Sequence, residues 1–263
     1  MDNKGILLCG ETTEGKLAPI TLQLLGIGRK LADELGEDLS ILLMGSGIAG
    51  LGQEAIVLGV DKAYVADDPL LDSYNSDAYT YVAANLCQQI SPSILLLGQT
   101  DVGRDLAPRL AGRLKTGLAM DCTALAIDHE TGLLIRTRPV YGGNADATVI
   151  SKTAHPQMAT IRIGVMTPAE RDNSRQGEVI TLDSAVDPAA VKVKVIERVK
   201  EEGEGVRLED ADVVVSGGRG MGSAENFGMI RELAHLLGGA VGATRVACDE
   251  EWVPASLQVG QTG

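Results

Sequence analysis

The chain has 263 residues and carries 23 basic and 36 acidic side chains, a formal net charge of −13. This balance argues against nucleic acid or an anionic membrane as a partner, because both require a basic face. Hydrophobic residues make up 44% of the chain and charged residues 22%, as in a globular protein with room for two domains. The first apolar segment follows Met1 without a signal peptide, and no apolar run approaches the roughly 18 residues of a membrane span. We therefore expect a cytoplasmic protein with no membrane insertion.

Short apolar runs alternate with longer amphipathic stretches along the first part of the chain. The runs predict buried parallel strands at residues 6–9, 39–44, 62–66 and 93–98. The stretches predict helices at residues 17–35, 48–58, 77–90 and 103–114, the first ending at Gly36 as a C-cap. This alternation predicts an α/β fold with a Rossmann-like, doubly wound parallel sheet.

The pattern changes after Asp121. Four β-rich segments follow at residues 122–128, 132–137, 146–151 and 158–163, which we interpret as sheet additions to the same domain, with antiparallel pairing as an option. Residues 167–176 are polar and predict a surface loop, and the alternation over residues 191–200 predicts a strand. We place a domain boundary near residue 190, which gives domains 1–190 and 191–263.

The second domain starts another α/β unit. A strand at residues 212–216, a helix at 223–237 and a strand near 240–244 are predicted. These elements are fewer than an independent domain usually contains, so we expect an incomplete, flavodoxin-like α/β domain.

The cysteines indicate neither a metal site nor a catalytic one. Cys9, Cys87, Cys122 and Cys248 are far apart and form no CxxC pair, which argues against zinc and iron–sulfur sites. We interpret them as reduced thiols of a cytoplasmic protein. No Ser/His/Asp, Cys/His or paired-carboxylate arrangement stands out, so no catalytic residue is assigned.

A first glycine loop, GSGIAG at residues 45–50, fits the dinucleotide fingerprint GxGxxG. It follows a predicted strand and opens a predicted helix, and Asp67 and Asp68 lie about 20 residues further on, where a ribose-binding acid is expected. One interpretation is an NAD-dependent oxidoreductase. The other is a tight turn between strand and helix, since the chain has 32 glycines.

A second glycine loop, SGGRGMGS at residues 216–223, also lies between a predicted strand and a predicted helix. Its backbone amides could face a phosphate or the edge of a flavin, and the absence of GK[ST] excludes a P-loop. Ser223 is a good N-cap with Glu225 in the first turn, so an ordinary capped helix is the alternative. Arg219 favours a ligand, because a structural turn has no need of a guanidinium.

Several longer motifs together resemble one family. They are VVSGGRG at 214–220, ENF at 225–227, GAVGATR at 239–245, QVGQTG at 258–263, GRDLAPRLA at 103–111, TGL at 116–118 and DCT at 121–123. In this order they resemble the α subunit of electron transfer flavoproteins over essentially the whole chain.

The resemblance implies a heterodimer with an electron transfer flavoprotein β subunit. In it, FAD held by the second domain carries electrons between an acyl-CoA or other dehydrogenase and an acceptor. The cofactor-binding residues that it implies are Arg219 over the flavin with Gly220 in the same loop, Thr244 near N5, Arg245 near N1 and C2=O, and Gln258, Gly260, Gln261 and Thr262 along the ribityl chain and ring edge.

Arg245 has a calculable effect in that role. A guanidinium about 4 Å from the negative charge of a reduced flavin contributes up to about 4 kcal/mol in a half-buried site. Arg245→Ala is therefore expected to lower the first reduction potential. The alternative is that Arg245 is a solvated or ion-paired arginine.

The resemblance also predicts a difference from the family. Family members continue past the Gln-Thr-Gly motif with further FAD contacts, so we expect this chain alone to bind FAD weakly or not at all.

A second resemblance concerns RPVYGGN at 138–144 and HPQMAT at 155–160. Both are similar to the electron-bifurcating branch, in which a second FAD lies in the β subunit near the first α domain. Arg138 and Asn144 could face that flavin, and a polar β turn is the alternative.

An electron carrier is thus the leading hypothesis. The alternatives are an NAD-dependent oxidoreductase that uses the loop at 45–50, and a nucleotide-binding assembly module without redox activity.

Overall fold

The computed structural model describes residues 3–184, 186, 189, 191–193, 195, 196, 208 and 211–260. The chain divides into two compact units, residues 1–196 and residues 197–263. Each unit has its own buried core.

The first unit is an α/β sandwich. Its elements, in chain order, are β1 (Ile6–Gly10), β2 (Thr12–Thr13), β3 (Lys16–Leu17), α1 (Pro19–Leu35), β4 (Leu39–Gly45), α2 (Leu51–Val57), β5 (Lys62–Asp67), α3 (Ser76–Ile90), β6 (Ile94–Gly98), α4 (Asp101–Leu114), β7 (Leu118–Cys122), β8 (Ala124–Ile127), β9 (Leu134–Val140), β10 (Ala145–Val149), β11 (Gln157–Ile161) and β12 (Glu178–Thr181). Seven strands form one sheet in the order β12-β5-β4-β1-β6-β11-β7, and every neighbouring pair is parallel. The predicted doubly wound parallel sheet is confirmed.

The central strand β1 shows why the sheet is covered on both faces. Ile6 and Leu8 point into one apolar cluster with α1 and α2, while Leu7 and Cys9 point into another with α3 and α4. A strand that buries both faces reads as a continuous apolar run, which is the signature of a parallel strand between two helix layers.

Two predicted helix starts were too early. The helix predicted from residue 17 begins at Pro19, whose fixed φ suits the first helical position, and residues 16 and 17 belong instead to a short hairpin. The helix predicted from residue 48 begins at Leu51. The predicted C-cap is confirmed, because Gly36 has φ 65° and its N–H bonds to the last turn of α1.

The β-rich segments after Asp121 divide between two sheets. β7 and β11 lie in the main sheet and are parallel, whereas β8, β9 and β10 form a separate antiparallel sheet. All four segments lie in the first unit, as expected, and the antiparallel option applies to β8, β9 and β10. Only short turns separate β8, β9 and β10, and short turns favour antiparallel hairpins.

Two further elements differ from the sequence analysis. β12 pairs with β5 at the sheet edge, and no strand was predicted there. Of the strand predicted over residues 191–200, the described residues 191–193, 195 and 196 have no regular structure, and the others lie outside the described residues.

The second unit contains β13 (Val214–Gly217), α5 (Phe227–Leu236), β14 (Ala240–Ala243) and α6 (Arg245–Asp249). β13 and β14 are parallel, and Gln258 forms a further parallel bridge to Ala243. Its core is centred on the fully buried Phe227. The helix predicted from Ser223 begins at Phe227, because the preceding residues form a tight turn with hydrogen bonds between residues three apart.

Within the described residues, no helix has the length and apolar character of a bilayer span. No group of three His, Cys, Asp or Glu side chains in the same residues is arranged to hold a metal ion.

Candidate functional site

Three backbone segments of the second unit end at the same edge of its sheet. β13 ends at Gly217, β14 is followed by Thr244, and Gln258 bridges the end of β14. The Thr244 N–H donates to the Gly217 carbonyl at 2.9 Å, and the Val259 N–H donates to the Ala243 carbonyl at 2.8 Å. Open α/β sheets bind ligands outside the carboxyl ends of their strands, so this edge is the candidate site.

Two glycines let the segments approach this closely. A Cβ on Gly217 would lie 3.0 Å from the Phe227 ring, and a Cβ on Gly218 would lie 2.9 Å from the Thr244 Cγ2 and 3.0 Å from its Oγ1. Gly218 therefore places the Thr244 side chain directly against the loop. Sequence analysis did not single out Gly218, although a second glycine directly after a strand was the available signal.

The Thr244 hydroxyl has no hydrogen bond to any residue that the structure describes. Thr244 is the N-cap of α6, a position where a threonine hydroxyl usually accepts an N–H of the first turn. Here it makes no capping hydrogen bond, and no described residue bonds to it. The half-buried hydroxyl is therefore free to bond a ligand.

Arg219 opens a short 3-10 turn at the tip of the glycine loop, followed by Gly220 and Gly222. Its side chain is exposed, and none of the described residues forms an ion pair or hydrogen bond with its guanidinium. A Cβ at Gly220 or Gly222 would meet no atom within 4 Å, so the loop backbone is bare on that side. An unpaired cation beside bare backbone suits an anionic or acceptor-rich ligand.

Arg245 is the first residue of α6, and its Nε donates to the Asp249 carboxylate at 3.3 Å, with both side chains 60% exposed. The structure thus gives Arg245 an ion pair within its own helix.

Gln258 donates its side-chain amide to the Gly260 carbonyl at 2.9 Å, and Gly260 has φ 79° with open space where a Cβ would lie. The remaining predicted contacts, Gln261 and Thr262, lie outside the described residues.

The donor chemistry of this edge decides what fits there. The edge carries two guanidiniums, a hydroxyl without a partner among the described residues and exposed loop backbone, and the Asp249 carboxylate is paired with Arg245. Such a set suits a planar ligand whose edge carries hydrogen-bond acceptors and gains negative charge, as the flavin of FAD does.

The backbone amides of the first glycine loop already donate hydrogen bonds to a side chain of the protein. The Asp67 carboxylate at the end of β5 accepts hydrogen bonds from the Gly47 N–H at 2.7 Å and from the Ile48 and Ala49 N–H groups, each at 3.0 Å. These amides are the groups that bind a pyrophosphate in a dinucleotide site. A pyrophosphate would have to displace the protein's own carboxylate, so the geometry does not favour the NAD-dependent alternative.

A second carboxylate, that of Glu11, lies at the carboxyl edge of the main sheet near its centre. The order of the sheet reverses between β1 and β6, the point at which ligands bind in such folds. Glu11 follows β1 there and accepts a 2.6 Å hydrogen bond from the Thr100 hydroxyl at the start of α4. Burial raises the pKa of Glu11 above its ordinary value, and nearby Asp101 acts in the same direction.

Arg138 and Asn144 lie on the antiparallel sheet and its turn. The Arg138 Nε is buried, without a hydrogen-bond partner among the described residues, and Asn144 donates to the Tyr141 carbonyl at 2.9 Å. Arg162 forms a two-point ion pair with Asp121 that lowers the Asp121 pKa, and the charges of Arg138 and Arg104 act in the same direction.

Comparison with known families matches both units. Residues 6–187 match the electron transfer flavoprotein domain, and residues 207–263 match the electron transfer flavoprotein FAD-binding domain. The chain belongs to the electron transfer flavoprotein family. FAD is accordingly the cofactor of the second unit, whose described donors fit it. Neither the NAD-dependent alternative nor a module without redox activity is favoured.

Individual relatives agree with the family assignment. The chain is 44% identical to the electron transfer flavoprotein subunit alpha of Thermoanaerobacterium thermosaccharolyticum, over 100% of this chain and 79% of that protein. It is 46% identical to the protein of the same name from Megasphaera elsdenii, over 99% of this chain and 78% of that protein. It is also 36% identical to lactate dehydrogenase (NAD(+),ferredoxin) subunit LctC of Acetobacterium woodii, over 99% of this chain and 62% of that protein.

Proposed function

We propose that this chain is the FAD-holding subunit of an electron carrier and that the carboxyl edge of its second unit grips the flavin. The observation that supports this most is the free Thr244 hydroxyl beside the unpaired Arg219, within the residues that match the FAD-binding domain. Donors without protein partners at a strand edge are what an acceptor-rich cofactor requires.

Each residue has a distinct part in this proposal. Arg219 lies over the ring, Thr244 donates its hydroxyl near N5, and Arg245 faces N1 and C2=O. Gly220, Gln258 and Gly260 line the ring edge and ribityl chain, together with Gln261 and Thr262. FAD supplies the electron transfer chemistry when bound, and these side chains bind it and set its potential.

The partners follow from the same proposal. The matched relatives that carry the family name are called alpha subunits, which supports a heterodimer with a β subunit. An acyl-CoA or other dehydrogenase delivers the electrons. We place the carrier in the cytoplasm, in keeping with the unpaired thiols of all four cysteines.

The test is a visible absorption spectrum of the chain co-expressed and purified with its β subunit. A flavin content that falls in Thr244→Val and Arg219→Ala, but is unchanged in the exposed first-unit variant Arg113→Ala, supports the proposal. A wild-type complex without flavin, or flavin content that none of these changes affects, overturns it.

A second candidate concerns the type of carrier. We propose that the chain works in the electron-bifurcating branch, with Arg138 and Asn144 toward a second flavin in the β subunit. The buried, unpartnered Arg138 Nε supports this, because such a group requires an acceptor from outside the described chain. One relative is named as a subunit of a dehydrogenase that uses NAD(+) and ferredoxin.

Counting flavins per heterodimer tests the second candidate. Two flavins, one of which is lost or shifted in potential by Arg138→Lys, support it. One flavin per heterodimer, unaffected by Arg138→Lys, leaves an ordinary carrier and contradicts it.

A further inference from the structure

The ion pair between Arg245 and Asp249 is poorly explained by the stability of its helix. Arg245 is the first residue of α6 and Asp249 the last, so the cation lies at the positive end of the helix and the anion at the negative end. Both positions oppose the preference that the helix dipole sets. The order along the chain, with the basic residue first, is also the weaker one for a pair four residues apart.

The pair is also easy to break. Its single contact is 3.3 Å long, and each side chain is 60% exposed. Pairs of this kind contribute little to stability because solvent screens them and two long side chains must be held still. The Arg245 guanidinium is therefore exchangeable between Asp249 and another anion nearby.

The other anion is the reduced flavin, because Arg245 lies at the candidate flavin site. Arg245 directly follows Thr244, the helix N-cap at the candidate site, whose hydroxyl makes no capping hydrogen bond. A carboxylate paired to the guanidinium weakens the positive potential that the guanidinium exerts elsewhere, since the two opposite charges partly cancel.

We propose that Asp249 is a positioning residue that holds Arg245 and thereby lowers the reduction potential of the flavin. This inference rests on the proposed function. Removing the carboxylate leaves the whole charge of Arg245 available to the flavin. Reduction adds negative charge to the flavin, so it becomes easier when Asp249 is neutral.

The neighbouring Glu250 provides a matched control. It is an exposed carboxylate that follows Asp249, and no described residue forms an ion pair with it. Asp249→Asn and Glu250→Gln each remove one negative charge from the same end of α6, but only the first frees Arg245.

The experiment is a redox titration of the FAD-loaded complex with its β subunit. It compares the wild type with Asp249→Asn, Asp249→Ser, Glu250→Gln, Arg245→Ala and the double variant Arg245→Ala/Asp249→Asn. We expect both Asp249 variants to favour the reduced form three- to tenfold, which is a rise of about 30 to 60 mV for one electron. Glu250→Gln should give less than half of that rise, and the effect of Asp249→Asn should vanish without Arg245.

The outcomes separate this inference from the proposed function. A potential unchanged in Arg245→Ala removes Arg245 from the flavin and overturns the inference with it. A lowered potential in Arg245→Ala, with Asp249 variants no different from Glu250→Gln, overturns the inference alone. A rise in Asp249→Asn that persists in the double variant also overturns it, because the carboxylate would then act without Arg245.

Discussion

Two threonines at helix starts differ in whether their hydroxyls hold the fold together or are left for a ligand. Thr100 caps α4 by accepting the Gly103 N–H at 2.9 Å, and it also donates to Glu11. Thr244 occupies the same position on α6 but makes no such bond. The hydroxyl of Thr100 is engaged in the fold, whereas that of Thr244 is available to FAD.

Thr244→Val should therefore weaken FAD binding without destabilising the free chain. A lost hydrogen bond corresponds to about 0.5 to 1.5 kcal/mol, or roughly a threefold to tenfold higher Kd. Titration of the flavin-free complex with FAD, together with urea unfolding of the free chain, measures both quantities. Thr100→Val is the control and should lose about 1 kcal/mol of stability. An equal loss of stability in Thr244→Val would show that its hydroxyl is structural.

Asp67 likewise decides the meaning of the first glycine loop. Its carboxylate bonds three successive amides, so it acts as the loop's own anion.

Asp67→Ala should lower the free energy of unfolding by about 1 to 3 kcal/mol, because three amides lose an ionised acceptor. Asp67→Asn should lose less, since its amide oxygen still accepts. Urea unfolding of the two variants measures this order. Asp72→Ala is the control, since Asp72 is exposed and its carboxylate has no hydrogen bond to a described residue. Equal midpoints for all three would contradict a role for Asp67 in the loop.

At the scale of elements, the two sheets treat their carboxyl edges in opposite ways. In the first unit, carboxylates of Asp67 and Glu11 bond the loop amides and the helix start at that edge. In the second unit the edge presents donors, and the carboxylate of Asp249 lies one turn away on α6. The carboxyl edge of the first unit is thus occupied by the protein's own carboxylates, whereas that of the second unit offers hydrogen-bond donors to a ligand.

Glu11 makes the carboxyl edge of the first unit sensitive to pH. Because burial raises its pKa in the folded state, folding favours the protonated form, and this stability is present at and below the ordinary value of 4.5. It is lost as the pH rises through the folded-state pKa, when a charge must be buried beside Asp101.

Glu11→Gln should therefore match the wild type in stability at acidic pH and exceed it at neutral pH. The glutamine amide oxygen still accepts from Thr100, so the geometry is preserved. Urea unfolding at a series of pH values measures the difference, and Glu130→Gln, at an exposed position, is the control. A wild type that gains stability over Glu11→Gln as the pH rises would contradict the sign of this shift.

For the molecule as a whole, we propose that the first unit folds by itself, because both of its large apolar clusters lie within residues 1–196. The end of this unit is bonded back to α3. Asn75 donates to the Val193 carbonyl at 2.6 Å, and the Lys192 N–H donates to Asp77 at 3.2 Å.

The predicted boundary near residue 190 would cut before these bonds. We expect fragment 1–196 to unfold cooperatively and fragment 1–190 to be less stable by about 1 to 2 kcal/mol, since it loses two hydrogen bonds. Urea unfolding of both fragments gives the difference. Asn75→Ser in the longer fragment keeps the helix cap but loses the bond to Val193, so it should fall between the two. Fragments of equal stability would favour a boundary at 190.

Local sequence pattern was enough to predict the strands at the centre of the main sheet. The apolar runs of β1, β4, β5 and β6 predicted strands, because strands covered on both faces are mostly apolar. The pairing of the strands after Asp121 stayed open, because an apolar segment does not reveal its pairing partner. β12 was missed for a related reason, since an exposed edge strand has no apolar run to detect.

At the site, the sequence predicted the glycine loop, Arg219, Thr244 and Arg245 as flavin contacts, because motifs record residue types and spacing, and these contacts stay predictions. It could not show that the Thr244 hydroxyl is free, that Asp249 holds Arg245, or that Asp67 fills the first glycine loop. Both glycine loops look alike in sequence.

By itself, the sequence determined the α/β class and the family, since these depend on local composition and motif order, and it supplied the residues that we propose for the flavin site. Only the tertiary structure decided which glycine loop is open to a ligand. That outcome depends on Asp67, whose carboxylate is placed by β5 against the first glycine loop some 20 residues earlier in the chain. Parallel strands bring together groups that are distant in the sequence.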